Sequence, residues 1–135
     1  MNRNHLRDRL VQGFEAFKHD RKGSKRVRKI RYDIGSHELR WKSLDDVGMI
    51  KGTVRGKQMA IKGMKIASVR EVRRGVQTPI LSRALGEDPS CCVSLISSER
   101  TLDLTFASQS LRDEFIRSVQ IVFDEKNLSN SVKFL

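Results

Sequence analysis

Short runs of alternating apolar and polar residues constrain this chain most. In VRKIRYDI (residues 27–34), Ile30, Tyr32 and Ile34 alternate with Lys29, Arg31 and Asp33. A period of two buries one set and leaves the other in solvent, the pattern of a half-buried β-strand. Gly35-Ser36-His37 supplies a turn, and Leu39 and Trp41 then return on one face, so an antiparallel hairpin is expected. The alternation recurs in CCVSLI (91–96) and TLDLTF (101–106), with Ser97-Ser98-Glu99-Arg100 as the hairpin between them. Further strands are expected near residues 58–62 and 65–73. The period changes only towards the two ends. Leu6, Leu10 and Val11 fall on one face of a short N-terminal helix that Asn4 would cap and Gly13 would break. Leu111, Phe115, Val119 and Val122 form an amphipathic helix, with Ser108 or Ser110 as its cap and Asp113 and Glu114 near its positive end. Residues 77–90 hold both prolines and a Gly-Glu-Asp-Pro turn and read as a long loop, and SNSVKFL reads as a loose tail or a docking segment. About seven strands followed by one helix predict a mainly β fold, a small antiparallel barrel or sandwich with the helix over one opening.

At 135 residues the chain is expected to form one domain. No apolar stretch approaches the ~18–20 residues that span a bilayer. The start, MNRNHLRDRL, has no signal-peptide core and no Gly after Met for myristoylation. Two adjacent cysteines, Cys91 and Cys92, suit a reducing, intracellular compartment, with one facing the core and the other half-buried or exposed. Neither a Gly-x-Ser-x-Gly nucleophile turn nor a phosphate-cradling Gly-rich Lys-Ser/Thr loop is present. His5, His19 and His37 lack metal-ligand spacing, and Cys91-Cys92 supplies at most one ligand. No catalysis, metal or cofactor is expected, and Asp45-Asp46 reads as a turn.

The charge is uneven. The net is +11, but residues 18–74 hold 18 basic and 6 acidic residues, a balance of +12, and the remainder balances at −1. An anion-rich partner is the expectation. The density peaks in residues 18–31, where Lys18, Arg21, Lys22, Lys25, Arg26, Arg28, Lys29 and Arg31 face one acid, Asp20. Arg26-Val27-Arg28 alternates within a strand, so both guanidinium groups share the face of Ile30, Tyr32 and Ile34, the expected interior. Arginines at the inward end of a strand are costly unless they reach an open mouth and meet an anion there.

Lys18, seven residues and then Arg26-x-Arg28 resembles the basic motif of pleckstrin homology (PH) domains that bind phosphoinositides. Tyr32, Ile34, Leu39 and Trp41 follow in the matching order. Ile66-Ala-Ser-Val69-Arg-Glu71-Val72-Arg73-Arg-Gly75-Val-Gln-Thr78 resembles the fourth-strand region of PH domains from phosphoinositide-specific phospholipases C. CCVSLI, TLDLTF and the helix after them are similar to the last strands and C-terminal helix of that group. The resemblance covers residues 12–123. It implies a seven-stranded bent antiparallel barrel capped by the helix, with residues 1–11 as a helical extension, 12–125 as the PH-like domain and 126–135 as a tail. It further implies a non-catalytic module whose first two loops on the open side, 18–25 and 51–57, flank a lipid headgroup. Lys18, Arg26 and Arg28 become the headgroup ligands, since guanidinium forks suit phosphate, with Lys22 and Lys25 beside them. Lys51, Arg55 and Lys57 add diffuse attraction of ~1 kcal/mol each to an anionic leaflet. In size the chain also resembles small stand-alone PH proteins, including acylated ones of apicomplexan parasites.

The sequence departs from that pattern at three places. Phe115 stands where the helix normally has Trp, and Asp20 where phosphoinositide binders of the phospholipase group prefer a second Lys. Leu44-Asp45-Asp46 replaces Ser-basic-basic, and acids beside a bisphosphate oppose it. The resulting expectation is a cytoplasmic, peripheral-membrane module for a phosphoinositide or another acidic phospholipid such as phosphatidic acid. The alternative is a scaffold of the same fold for a protein partner. Nucleic acid is disfavoured, because one Trp and one Tyr leave little for base stacking. Arg21-Lys-Gly-Ser24 has the pattern of a basophilic-kinase site, and phosphate on Ser24 would cancel charge within the cluster.

Overall fold

The computed structural model describes residues 2–43, 53–54, 57–58 and 62–135. Helix α1 (Arg3–Gln12) is capped by Asn2, whose side chain accepts from the His5 N–H at 2.8 Å, and not by Asn4. It ends at Gly13, where φ is 110° and a Cβ would meet the Lys29 side chain at 2.9 Å. A residue with a side chain is strained on both counts, so the break is sharp. Strand β1 (Phe14–His19) follows at once, then β2 (Lys25–Asp33) and β3 (Glu38–Ser43). The expected hairpin is β2–β3, with Ile30 opposite Trp41 and Tyr32 opposite Leu39. Ile30 and Tyr32 are buried, but Ile34 lies beyond β2, in the turn, and is 55% exposed rather than interior.

A two-stranded ribbon, β4 (Thr53–Val54) with β5 (Lys57–Gln58), precedes β6 (Lys62–Lys65). A 3-10 corner at Ile66–Ser68 leads to β7 (Val69–Arg74). Part of the proline-containing stretch is ordered as α2 (Pro79–Arg83), started by Thr78, whose Oγ1 accepts from the Leu81 N–H at 3.3 Å. Strands β8 (Cys92–Ser97) and β9 (Thr101–Thr105) form the expected hairpin, closed by the Ser97 N–H donating to the Arg100 carbonyl at 2.9 Å. Helix α3 (Gln109–Glu125) is capped by Ser108 alone of the two candidate serines. Asp113 and Glu114 fall beyond its first turn and serve ion pairs instead, with Arg112 at 2.8 Å and with Arg9 of α1 at 2.6 Å. Of the two readings of the tail, docking holds: β10 (Lys133–Phe134) pairs in parallel with β7.

The main sheet runs β10-β7-β8-β9-β1-β2-β3-β6. The 3-10 corner joins β6 to β7, so members far apart in the sheet order are consecutive in the chain and the sheet bends round on itself. Its concave face is filled by alternate strand residues, among them Phe14, Ile30, Leu39, Val72, Leu95, Leu102 and Leu104, all buried. Phe115, Ile116, Val119, Val122 and Phe123 of α3 close one end. Phe115 stacks edge-on to Phe14 with centroids 5.5 Å apart and lies 5.1 Å from Phe106, so it plugs the barrel in place of Trp. Each such side chain contributes about 1.5–3 kcal/mol by leaving water. No helix among the described residues is long and apolar enough to cross a membrane.

Candidate functional site: the cationic open end

Alternation assembles the end away from α3. In β1, Phe14 and Ala16 point into the core, and two residues on Lys18 carries the same face to the rim. Lys18 pairs with Arg26 across the hairpin and Ala16 with Arg28, which places Arg26, Arg28 and Lys18 on one inward face. Trp41, opposite Ile30, is buried below them, and its other neighbour in register is Lys62 of β6. The β8–β9 turn brings Arg100 in from the other side. The Lys18 Nζ lies 5.8 Å and the Arg100 Cζ 5.7 Å from the Trp41 ring centroid, both within cation–π range.

These groups border a cleft of about 530 Å³ lined by Lys18, Asp20, Arg21, Trp41, Lys62 and the 97–101 turn. Among the described residues, none of Lys18, Arg26, Arg28, Lys62 or Arg100 meets a carboxylate within ion-pair distance, although ten such pairs form elsewhere. Lys18 registers the crowding. Burial, then the charges of Lys62, Arg28 and Arg100, pull its ammonium below the usual lysine range, and only Asp20 opposes them appreciably. Trp41 adds a donor: its indole N–H is buried without an acceptor among the described residues. An unmatched buried N–H costs about 1–3 kcal/mol until an acceptor arrives. Chemically the cleft can hold a multivalent anion, and no metal-ligating cluster occurs among the described residues.

Asp20 has a local task. Its carboxylate accepts from the backbone N–H of Lys22 at 2.9 Å and of Ser24 at 3.0 Å and from the Ser24 hydroxyl, bonds that hold its pKa below the ordinary aspartate value, Ser24's hydroxyl foremost. It therefore shapes the β1–β2 turn, in which Gly23 takes φ 89°. Ser24, the candidate phosphosite, is partly buried within that turn.

The structure separates the other expected ligands from this group. Lys25 sits on the outer face, where its Nζ lies 2.8 Å from Glu87 and 4.7 Å from the Phe17 centroid. Lys22 borders a smaller hollow of about 240 Å³ between the turn and α2, with Arg21 and Arg83. Lys51 and Arg55, like Asp45 and Asp46, lie outside the described residues; Lys57 is described only as backbone of β5. Lys62 and Arg100 were not expected. Lys62 carries a legible signal, since Lys62-x-Met64 repeats the logic of Ala16-x-Lys18: a core residue, then a lysine two places towards the rim. Arg100 carries none, because the direction of a turn side chain has no period.

Behind the cleft, the outer face of β8, β9 and β1 is closed by residues 77–91. Asp103 is fully buried and takes the hydroxyls of Thr78 at 2.6 Å and Ser94 at 2.7 Å on one oxygen. His19, held below the usual imidazole range chiefly by burial, shares a 2.8 Å hydrogen bond with the Thr105 hydroxyl. As expected, one cysteine is fully buried and the other half-buried: Cys92 donates to the Asp88 carbonyl at 3.3 Å on this side of the sheet, and Cys91 is the partly exposed one. These contacts fix α2, whose Ile80 forms part of the cleft wall.

No family model matches the sequence, and no curated protein matches it significantly. Solved structures do match. Inner Membrane Complex Sub-compartment Protein 1 (ISP1) from Toxoplasma gondii is 15% identical, with a TM-score of 0.61 over 89% of this chain and 89% of that one. The PH domain from PfAPH is 12% identical, with a TM-score of 0.58 over 94% of this chain and 91% of that one. PLC21 from S. officinalis is 16% identical, with a TM-score of 0.60 over 86% of this chain, which spans only 16% of that protein. At these identities the likeness is one of architecture, and with the sheet order and the plugging helix it establishes that the chain has the pleckstrin homology fold.

Proposed function

We propose that the open end binds the anionic headgroup of a phosphoinositide or another acidic phospholipid such as phosphatidic acid, and so recruits the protein to the cytoplasmic face of a membrane without chemistry of its own. The observation that carries this reading is the convergence of Lys18, Lys62 and Arg100 on one cleft, with the charge of Arg28 felt at Lys18, and with no carboxylate within pairing distance of them among the described residues. Folding such a cluster costs repulsion that a bound phosphate group relieves. Arg26 extends the cluster at the rim, and Lys22, with Lys51, Arg55 and Lys57, adds longer-range attraction to the same leaflet. Phosphate on Ser24 would stand against the Asp20 carboxylate, open the turn and weaken binding.

Calorimetric titration with soluble inositol phosphates, paired with flotation on neutral and anionic liposomes, tests the reading. Binding to anionic vesicles alone, weakening with salt, is expected. Equal binding to both vesicle types, or to neither, refutes it. The second reading, a protein-docking module, is favoured by a different surface, the edge of β7.

A further inference from the structure

Strand β10 covers only part of the β7 edge. Lys133 lies opposite Glu71 and Phe134 opposite Val72. The Leu135 N–H donates to the Val72 carbonyl at 2.8 Å, and the Arg74 N–H to the Leu135 carbonyl at 2.9 Å. Val132 is buried, and the Phe134 ring meets Phe123 of α3 edge-on at 6.1 Å, while Lys133 is exposed. The segment thus uses a Val-x-Phe alternation, with two side chains seated between β7 and α3 and the one between them in solvent.

Two features make it replaceable. It is two residues long against the six of β7, so it gains few ladder bonds, and a short strand at a sheet margin opens at low free energy. Its charge also suits the site poorly. The β7 edge carries Arg70, Arg73 and Arg74, while Glu71 is engaged by Arg73 at 2.7 Å. Of Lys133, Phe134 and Leu135, only Lys133 has a charged side chain. Continuing the parallel register sets the two positions after the aromatic against Arg73 and Arg74.

We propose that the β7 edge is a strand-docking site for a partner protein's extended segment of the pattern Val-x-aromatic followed by acidic residues, and that Lys133–Phe134 occupies the place until displaced. Main-chain bonds to β7 supply affinity and the aromatic seat beside Phe123 supplies specificity. None of the cationic residues of the open end takes part, so the proposal is independent of the membrane reading.

The test uses the full chain, wild type and Phe134→Ala, with fluorescein-labelled peptides LSNSVKFL, LSNSVKFDE and LSNSVKADE followed by anisotropy. The tethered segment competes at high effective concentration, so Phe134→Ala should bind the acidic aromatic peptide about tenfold more tightly than wild type does. LSNSVKFDE should exceed LSNSVKFL by about threefold, one modest ion pair's worth, and LSNSVKADE should not bind. The Arg74 amide should exchange faster in Phe134→Ala and slow again when LSNSVKFDE is added. Lys133→Pro leaves Val132 and Phe134 intact but removes a strand N–H, and should behave like Phe134→Ala even if the latter folds poorly. Equal binding of all three peptides, binding of none by either variant, or an Arg74 amide indifferent to Phe134→Ala overturns the proposal. So does a wild-type dimer that LSNSVKFL dissociates, because the occupant is then a second copy of the chain.

Discussion

The two faces of the β1–β2 hairpin carry similar residues under opposite conditions. On the outer face Lys25 meets Glu87, His19 meets Thr105, and Asp103 takes two hydroxyls beneath α2. On the inner face, one residue away along the same strands, Lys18 feels the charges of Arg28, Lys62 and Arg100, Arg26 stands opposite it at the exposed rim, and none of the five finds a carboxylate within pairing distance among the described residues. Polar groups that find partners stabilise the fold, although the second Asp103 oxygen is itself buried without one among the described residues, whereas a cluster of like charges lowers stability. Neighbours, rather than the density of basic residues, separate the two roles. Both faces of the hairpin lie inside the same basic stretch of sequence, and only the inner one leaves its cations without carboxylate partners among the described residues.

The comparison can be broken most directly by emptying the inner face. Lys18→Ala with Arg28→Ala should cost about 100-fold or more in affinity for inositol phosphates by calorimetry, at ~1.5–3 kcal/mol per charged hydrogen bond. The same variant should melt no lower than wild type, since it removes repulsion; a large fall in melting temperature would reassign these residues to the fold. The outer face predicts the reverse. Asp103→Ala leaves the hydroxyls of Thr78 and Ser94 without their buried acceptor and should lose about 2–4 kcal/mol in urea unfolding, with little change in affinity while the protein stays folded. Arg100→Ala and Lys62→Ala should each weaken binding by about tenfold, which would confirm that the clamp draws on strands beyond the basic hairpin.

A smaller effect concerns Trp41. It is the only tryptophan, so intrinsic fluorescence reports on the cleft alone. Its emission should shift on titration, and Trp41→Phe, which keeps the ring but loses the N–H, should weaken binding about threefold to tenfold. Lys18 gives the inner face a pH signature. Its folded-state pKa is depressed, so its charge, and with it anion affinity, should fade on raising pH sooner than for an ordinary lysine. Lys18→Arg should abolish that early decline. The smallest effect belongs to His19, also depressed. The unfolded chain takes up the imidazole proton at higher pH than the folded one, so stability should fall as pH drops below the ordinary histidine range, and less so in His19→Asn. Equal acid sensitivity of the two in thermal melts would remove His19 from the account.

What was legible in the sequence had a period. Ile30, Tyr32, Leu39 and Trp41 declared the β2–β3 hairpin, and the spacing of Phe115, Val119 and Val122 declared α3, because burial of one face repeats every two or 3.6 residues. The inward aim of Arg26 and Arg28 followed from the same count; Lys18 entered through the resemblance to the basic motif, and the structure sets it opposite Arg26. Ile34 was misplaced because alternation does not say where a strand stops; the turn begins one residue earlier. Helix α2 was hidden because five residues have no measurable periodicity, and its order comes from Thr78 meeting Asp103, 25 positions away. Lys25 shares the charge of its neighbours but not their side of the sheet, and Glu87, 62 positions on, claims it. Long-range pairing of that kind leaves no local trace.

Thr78 has one further consequence. Its hydroxyl oxygen accepts from the first turn of α2 and donates to Asp103 of β9, the strand that leaves the turn bearing Arg100. One side chain therefore sets the spacing between the Ile80 wall and the Arg100 clamp. The gauge of the mouth is kept from outside the barrel, by a buried residue that does not line the cleft. On the proposed anion-binding reading, Thr78→Val should change the size of anion accepted while leaving the cationic side chains of the cleft in place.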